Sequence, residues 1–121
     1  MDSLIDTMNV SVVAGVCSAE PEIRELASGT VVANLSLRTT GRDGATTSVP
    51  VTVWDPPSWL ETVAPGELLA VLGAVRRRFY RPAAGGTGSR VDVEAELVVR
   101  AGDRRRVGAF RRRVASALEA V

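Results

Sequence analysis

The sequence contains no histidine, no lysine and one cysteine, Cys17, among its 121 residues. Histidine is the commonest general base and metal ligand, and a single thiol cannot complete a zinc site. The scattered carboxylates show no nucleophile paired with a base, so we expect no enzyme, no metal site and no cofactor. One cysteine also excludes an intramolecular disulfide, which fits a reducing cytoplasm. We expect Cys17 to pack as a small apolar side chain, with a reactive thiol as the alternative.

Long apolar runs are missing as well. No stretch of about 18 apolar residues occurs, so the sequence predicts no membrane-spanning helix. The first nine residues hold two acidic residues and no basic one, which is unlike a secretory signal. Because 45% of the residues are hydrophobic, we expect one folded domain with a modest core rather than disorder.

All 15 basic residues are arginine, whose guanidinium group both pairs with phosphate and stacks on bases. The net charge of +1 is unevenly divided. Residues 1–75 carry 3 Arg and 9 acidic residues, net −6, whereas residues 76–121 carry 12 Arg and 5 acidic residues, net +7. This asymmetry predicts a basic surface in the second part of the chain. The alternative is that the two parts neutralise each other in the folded molecule.

Alternation of apolar and polar residues predicts five β-strands. Between the third and fourth strands, residues 59–63 can form a short helix with Ser58 as its cap. This element order is that of the OB-fold, an all-β, five-stranded Greek-key barrel, and a barrel of another topology is the alternative. In the fifth strand we expect one face to carry Val91, Val93, Ala95, Leu97 and Val99. The predicted strands cover residues 10–16, 33–38, 48–54, 67–80 and 90–99.

The pattern changes to a helical period after Gly102, with Asp103 as the expected cap of a C-terminal amphipathic helix. Three roles are open for this helix: packing on the barrel or on a second copy, contacting phosphates, or lying on an anionic membrane surface. We therefore divide the chain into an N-terminal arm (1–7), an OB-fold domain (8–100) and a basic amphipathic helix (101–121). Its apolar face comprises Val107, Phe110, Val114, Leu118 and Val121, and its basic arc comprises Arg104–Arg106 and Arg111–Arg113.

Four short motifs follow one another between Asn9 and Arg38. They are a Gly ending the first strand (Gly15), a Pro-Glu-x-Arg step (Pro21–Arg24), a Gly turn (Gly29) and Val-Ala-Asn-hydrophobic-x-Leu (Val32–Leu37). In this order they resemble the opening of the bacterial single-stranded DNA-binding proteins (SSBs), and the resemblance extends over the barrel but not over residues 101–121. It implies single-stranded DNA as the partner and a homo-oligomer, usually a tetramer.

Binding single strands without sequence preference requires a basic groove for the phosphates and exposed rings for the bases. The best candidate is the run Arg76–Arg81. Alternation along a strand places Arg76, Arg78 and Tyr80 on one side, and Arg77, Phe79 and Arg81 on the other. By resemblance to the SSBs, Tyr80 takes the stacking position, and Arg76 and Arg78 take the phosphate-binding positions.

The alternative interpretation of the same run is a solvated face with cross-strand ion pairs. A hairpin centred near Gly85 and Gly86 would set Arg77 opposite Glu94 and Phe79 opposite Asp92. On that interpretation the run contributes to the sheet and not to ligand binding.

Trp54 is the second stacking candidate, because its alternation places the indole away from the barrel core. The SSBs carry an aromatic residue at this strand end, and the alternatives are an oligomer contact or a lid over the barrel. Trp59, by contrast, is expected to pack in the core. The predicted nucleic-acid site comprises Arg38, Trp54, Arg76, Arg78, Phe79, Tyr80, Arg81 and Arg90.

The chain also departs from the SSB pattern. Residues 40–44 and 46–48 lack the further tryptophans of the family. We also expect the chain to lack the acidic C-terminal tail through which the family recruits replication partners. We expect weaker binding per subunit and a steep salt dependence. The expected function is sequence-independent protection of single-stranded DNA in replication, recombination and repair, on the cytoplasmic nucleoid. The alternatives are an accessory protein-interaction subunit with little DNA affinity, and RNA binding.

Overall fold

The computed structural model describes residues 5–120; Met1–Leu4 of the predicted arm, and Val121 of the predicted helix, lie outside this range. Between β4 and β5 a 3-10 helix covers Ser58–Thr62, and the helix α1 covers Arg104–Glu119. Within this range no helix is long and apolar enough to cross a membrane. The strands are β1 Ser11–Cys17, β2 Glu22–Glu25, β3 Val31–Thr40, β4 Thr46–Trp54, β5 Leu68–Tyr80 and β6 Gly88–Arg100.

Five of these strands close into the predicted OB-type barrel. Neighbours follow the order β1, β5, β6, β4, β3, and β3 returns to β1 through the pairs Val16–Arg38 and Cys17–Leu37. Only the β4–β6 pairing is parallel among the pairings of residues 5–120. The expected fold class, a mainly β OB-fold with a short helix before the fourth barrel strand and a C-terminal helix, is confirmed.

The segment between the first two predicted strands forms a strand of its own, β2, which the sequence did not predict. It pairs antiparallel with β3, with Ile23 opposite Ala33. Ile23 packs against the barrel core, whereas the other three residues of β2 are charged. One inward apolar side chain in four residues is too short a pattern to mark a strand.

The short helix is present but its predicted cap is wrong. Ser58 is the first helical residue, Pro57 precedes it, and no side-chain hydrogen bond caps this end. Leu60 is fully buried and Trp59 packs against the same core, as expected. The Arg100 guanidinium lies 5.0 Å from the Trp59 ring centroid and covers its outer side.

The predicted single apolar face of the last barrel strand is also wrong, because β6 contains a β-bulge. Leu72 pairs with Leu97 and the next residue, Gly73, pairs with Ala95, so Glu96 is the extra residue. Before the bulge Val93 and Ala95 belong to the barrel interior; after it Leu97 and Val99 face the opposite way. A Cβ atom at Gly73 would collide with the Glu94 carbonyl oxygen, so the bulge requires glycine at this position.

Cys17 lies in the barrel interior with no exposed surface, as expected for a small apolar side chain. Its thiol donates a hydrogen bond to the Ala19 carbonyl oxygen, at 3.1 Å. Burial raises the pKa of the Cys17 thiol above its usual value of 9.0, and this outweighs the lowering effect of the hydrogen bond. The thiolate, which is the reactive form, is therefore suppressed in the folded protein.

Cys17 should consequently resist thiol reagents until the barrel opens. We expect a disulfide reagent such as 5,5′-dithiobis(2-nitrobenzoate) to react with the native protein at pH 8 at least about a hundred times more slowly than with the urea-unfolded protein. The reason is that the native thiol can react only when the barrel opens. Absorbance of the released chromophore measures both rates. Fast stoichiometric labelling of the native protein would contradict the buried position.

Helix α1 packs on the outside of the barrel. Phe110 is buried against Leu72 of β5 and Val99 of β6. Asp103 caps the helix as predicted, since its side chain accepts a hydrogen bond from the Arg106 backbone amide at 3.1 Å. The packed face differs at one position from the predicted one, because Leu118 is half exposed and Ala117 makes the contact instead.

Candidate nucleic-acid-binding site

The outer face of the barrel brings together Trp54, Arg78 and Tyr80. Val53 and Val51 point into the core, so alternation turns Trp54 outward, and 39% of it is exposed. Tyr80 is 51% exposed at the end of β5 and shares its side of the strand with Arg78. Two accessible rings and a guanidinium group therefore lie on one surface.

Arg78 contacts two carboxylates and the Trp54 ring. Its Nε atom donates to Asp92 Oδ2 at 2.8 Å and its Nη2 atom donates to Glu94 Oε2 at 3.2 Å. Its Cζ atom lies over the Trp54 ring, 5.8 Å from the centroid, which is within the range of a cation–π contact. The guanidinium group is thus fixed by two carboxylates beside an exposed indole.

Asp92 is the buried partner of Arg78. Only 1% of Asp92 is exposed, and its Oδ2 atom also accepts a hydrogen bond from Thr52 Oγ1 at 2.6 Å. Asn34 Nδ2 in turn donates to Thr52 Oγ1 at 3.3 Å. The resulting chain of polar contacts crosses four neighbouring strands, from β3 through β4 and β6 to β5, and it links these strands beneath the outer face.

The register of the β5–β6 hairpin differs from the predicted one. Arg76 lies opposite Asp92 and Arg78 opposite Arg90, so Arg77 faces Val91 and Phe79 faces Ser89. The expected pairs of Arg77 with Glu94 and of Phe79 with Asp92 are therefore wrong by three positions. The ion pairs form on the other side of the strand, where Arg76 Nε lies 3.2 Å from Glu94 Oε2.

The Tyr80 ring lies directly across the backbone of Gly88, its partner in the hairpin. A Cβ atom at Gly88 would come within 2.5 Å of Tyr80 Cζ, so only glycine allows this close approach. The ring borders a groove lined by Arg78, Phe79, Tyr80 and Arg90. Arg90 also borders a second depression on the outer face, whose lining includes Asn34, Ser36, Thr52 and Asp92.

The remaining predicted site residues lie at the edges of this surface. Arg38 is exposed on β3 opposite Ser48. Phe79 is 71% exposed but points to the reverse side of β5, beside Arg77, whose Nη1 donates to Ser89 Oγ at 3.1 Å. Arg81 follows the last residue of β5 and is exposed. The outer face therefore carries Arg38, Trp54, Arg76, Arg78, Tyr80 and Arg90, whereas alternation turns Phe79 to the reverse side of β5, where it borders the groove beside Tyr80.

Sequence reasoning missed the polar residues beneath the surface and one arginine beside it. Asp92 and Thr52 were assigned no role in the site, because their contact depends on the parallel pairing of β4 with β6. Arg24 of β2 lies opposite Val32 of β3, and Val32 lies opposite Trp54 of β4. The exposed Arg24 side chain therefore lies in the same cross-strand row as Trp54. The Pro-Glu-x-Arg motif contained this signal, since its Arg alternates with the inward Ile23.

The local charge balance is modest. Arg76, Arg78 and Arg90 contribute three positive charges, and Asp92 and Glu94 remove two of them. Within residues 5–120, no three carboxylate or thiol groups converge where a metal ion could bind. The surface is consequently better suited to stacking flat groups than to neutralising many phosphates.

A family comparison agrees with this geometry. The model of the Single-strand binding protein family matches residues 8–101, and a search of curated proteins finds no match. The matched range includes all six strands and ends before α1. On the strength of a match that covers most of its length, the chain belongs to the single-strand binding protein family.

Proposed function

We propose that this chain binds single-stranded DNA without sequence preference and shelters it during replication, recombination and repair. The observation that supports this most is the shared outer face of Trp54, Arg78 and Tyr80. Every base has a π-face, so rings that stack accept any sequence. Membership of the single-strand binding protein family supports the single-stranded ligand.

The arginines divide into two roles on this proposal. Arg78 is held by Asp92 and Glu94 and lies over Trp54, so it extends the stacking surface. Arg76 keeps 62% of its side chain exposed and can turn toward phosphate. Arg38, Arg90 and Arg81 act with Arg76 as phosphate contacts. Phe79 provides a ring only for a strand that passes over the end of the hairpin.

A homo-oligomer is the second part of the proposal, with a tetramer as the state that the family resemblance implies. In the part of the chain that the structure describes, β1 pairs with β3 only at Val16 and Cys17. The preceding residues of β1 pair with β5 on one side. Val12, in this stretch, is about half exposed, which suits a contact with a second copy.

An accessory protein-interaction subunit is the second candidate function. The ion pairs that Arg76 and Arg78 form with Asp92 and Glu94 favour this candidate, because a guanidinium group paired with a carboxylate binds phosphate less strongly. The two candidates differ in one measurable quantity, the affinity for single-stranded DNA.

Intrinsic tryptophan fluorescence separates the candidates. We expect poly(dT) to quench the emission of Trp54, with duplex DNA having little effect because its bases are already stacked. Affinity should fall steeply with salt, by a logarithmic slope of roughly 0.7 for each phosphate contact. Poly(U) tests the preference for DNA over RNA.

The control is Trp54→Phe, which leaves only Trp59 to emit. Trp59 is packed against the core beneath Arg100, so its emission should change little on binding. Absence of binding to poly(dT) at low salt would reject the proposal and favour the accessory role. Equal quenching by poly(U) and poly(dT) would remove the preference for DNA.

A further inference from the structure

The net charge of α1 is positive, whereas the net charge of the rest of the chain is negative. Residues 1–103 carry 9 Arg and 13 acidic residues, net −4. Residues 104–121 carry 6 Arg and one acidic residue, Glu119, net +5. A barrel with a net negative charge is a poor ligand for a polyanion, so the phosphates of a bound strand are drawn toward the helix.

Two of the helix arginines lie on the side of α1 that is opposite the barrel. Arg105 and Arg112 are seven residues apart, so they lie about 20° apart around the helix axis and roughly 10 Å apart along it. Phe110, on the opposite side, is buried against the barrel. Both arginines are exposed. The Arg112 guanidinium folds back over the helix, with Nη1 3.6 Å from the position of a Cβ atom at Gly108.

Ion pairing within the chain does not account for these arginines. Arg106 pairs with Asp103 at 3.9 Å and Arg113 pairs with Glu96 at 2.6 Å. Among residues 5–120, no carboxylate lies within 4.0 Å of a charged nitrogen of Arg105 or Arg112. Their charge is therefore available to a ligand.

Helix stability does not account for them either. The first turn of α1 contains Arg104, Arg105 and Arg106 and no acidic residue, and the last turn contains no basic residue. The helix dipole favours the reverse arrangement, with negative charge at the N-terminus and positive charge at the C-terminus. Arg105, in the first turn, therefore occupies a position that weakens the helix slightly, which points to an external partner.

A depression lies between Arg76, at the edge of the outer face, and one flank of α1. Its lining includes Arg76 and Arg113 of α1, together with Glu94 and Glu96. Both carboxylates are paired with arginines, Glu94 with Arg76 and Arg78, and Glu96 with Arg113. A chain of phosphates leaving Arg76 therefore meets no unpaired carboxylate among these lining residues on its way to α1.

We propose that the exposed arginine face of α1, formed by Arg105 and Arg112 with Arg104 and Arg111 along one flank, is a second phosphate-binding surface. It takes the phosphodiester backbone of the strand whose bases stack on Trp54 and Tyr80, and this inference rests on the proposed function. Backbone phosphates are uniform, so the contact adds affinity without adding sequence preference. A lipid surface fits less well, because the apolar face of α1 is already used against the barrel.

The test compares Arg105→Gln/Arg112→Gln with Arg105→Lys/Arg112→Lys. Arginine, glutamine and lysine have nearly equal helix propensity, so both variants should keep α1 folded, which circular dichroism checks. Affinity is measured for oligo(dT) from about 4 to about 16 nucleotides, the span of site sizes for one OB-fold, at several salt concentrations. The lysine variant is the matched control, since it keeps the charge at both positions.

We expect the glutamine variant to bind the shortest oligomer like the wild type. For the longest it should lose affinity by on the order of tenfold near 0.1 M salt, with a logarithmic salt slope shallower by about 1.4, corresponding to two lost phosphate contacts. The lysine variant should retain the wild-type slope.

Unchanged affinity and slope of the glutamine variant at every length, with a wild type that binds, would overturn the inference and leave the proposed function standing. Failure of the wild type to bind any oligo(dT) would overturn both. Loss of binding to vesicles of phosphatidylserine and phosphatidylcholine, without loss for oligo(dT), would identify the arginine face as a lipid surface and also reject the inference.

Discussion

Replacing Trp54 and Tyr80 together by alanine should remove most of the affinity for poly(dT). Each base stacked on an aromatic side chain contributes roughly 1–3 kcal/mol by alanine substitution, so each ring should contribute about 5- to 150-fold in affinity. Tyr80 is 51% exposed and Trp54 is 39% exposed, so the free energy of unfolding should fall only modestly, mainly through loss of the partly buried Trp54 ring. Fluorescence anisotropy of a labelled oligo(dT), with urea unfolding of each variant, measures both quantities.

The matched controls keep or move the ring. Trp54→Phe and Tyr80→Phe retain a flat surface and should lose much less affinity than the alanine variants. Phe79→Ala removes an even more exposed ring from the reverse side of β5 and should nevertheless have a smaller effect than Tyr80→Ala. If Phe79→Ala were the more damaging change, the strand would follow the reverse face. If neither Trp54→Ala nor Tyr80→Ala reduced affinity, the stacking surface would be wrong.

The barrel itself was predictable because its signals are local and repeated. β3 and β4 alternate apolar and polar residues for long enough to identify both the strand and its inward face. The outward position of Trp54 follows from that alternation alone. The Asp103 cap was predictable for the same reason, since the cap and the amide it contacts are three residues apart.

What the sequence did not predict depends on contacts between distant strands. The connection between β5 and β6 is seven residues long and contains two glycines of positive φ, Gly85 and Gly86. Such a loop allows several registers, and an error of three positions moves Asp92 from Arg76 to Phe79. The bulge at Glu96 is equally non-local, because it turns Leu97 and Val99 toward a helix that follows later in the chain.

The electrostatic character of the site changed with that register. Predicted as a row of free arginines beside a tyrosine, the run Arg76–Tyr80 contains two arginines that carboxylates already hold. The basic half of the sequence therefore separates in space into a nearly neutral stacking surface and a strongly positive helix. On the two proposals made above, the stacking rings lie on the barrel, and the arginines of α1 add phosphate contacts to those of the barrel.

Asp92 is where this assignment can be tested most sharply, because its replacement should change stability and DNA affinity in opposite directions. Asp92→Asn keeps the size of the side chain but removes the charge that holds Arg78. Breaking a buried ion pair costs about 3–5 kcal/mol, and we expect the lower end, since 28% of the Arg78 side chain is exposed. Urea unfolding should therefore show a free energy of unfolding lower by about 3 kcal/mol.

Affinity for poly(dT) should rise in the same variant, because Arg78 then keeps only Glu94 as an acidic partner and is more available to phosphate. One additional contact would steepen the logarithmic salt slope by about 0.7. Glu61→Gln is the control for net charge, since Glu61 is exposed on the 3-10 helix and forms no ion pair within residues 5–120. It should change neither the stability nor the slope appreciably.

A double variant tests whether the effects of Asp92→Asn arise through Arg78 or only from the change of a buried carboxylate. Adding Arg78→Met to Asp92→Asn removes the charge that the single change leaves without its buried partner, so part of the lost stability should return. The gain in affinity should disappear at the same time, because the arginine that produced it is gone. An Asp92→Asn protein with unchanged stability, or with weaker binding to poly(dT), would show that Asp92 does not restrain Arg78 as the distances of 2.8 Å and 3.2 Å to its two carboxylates indicate.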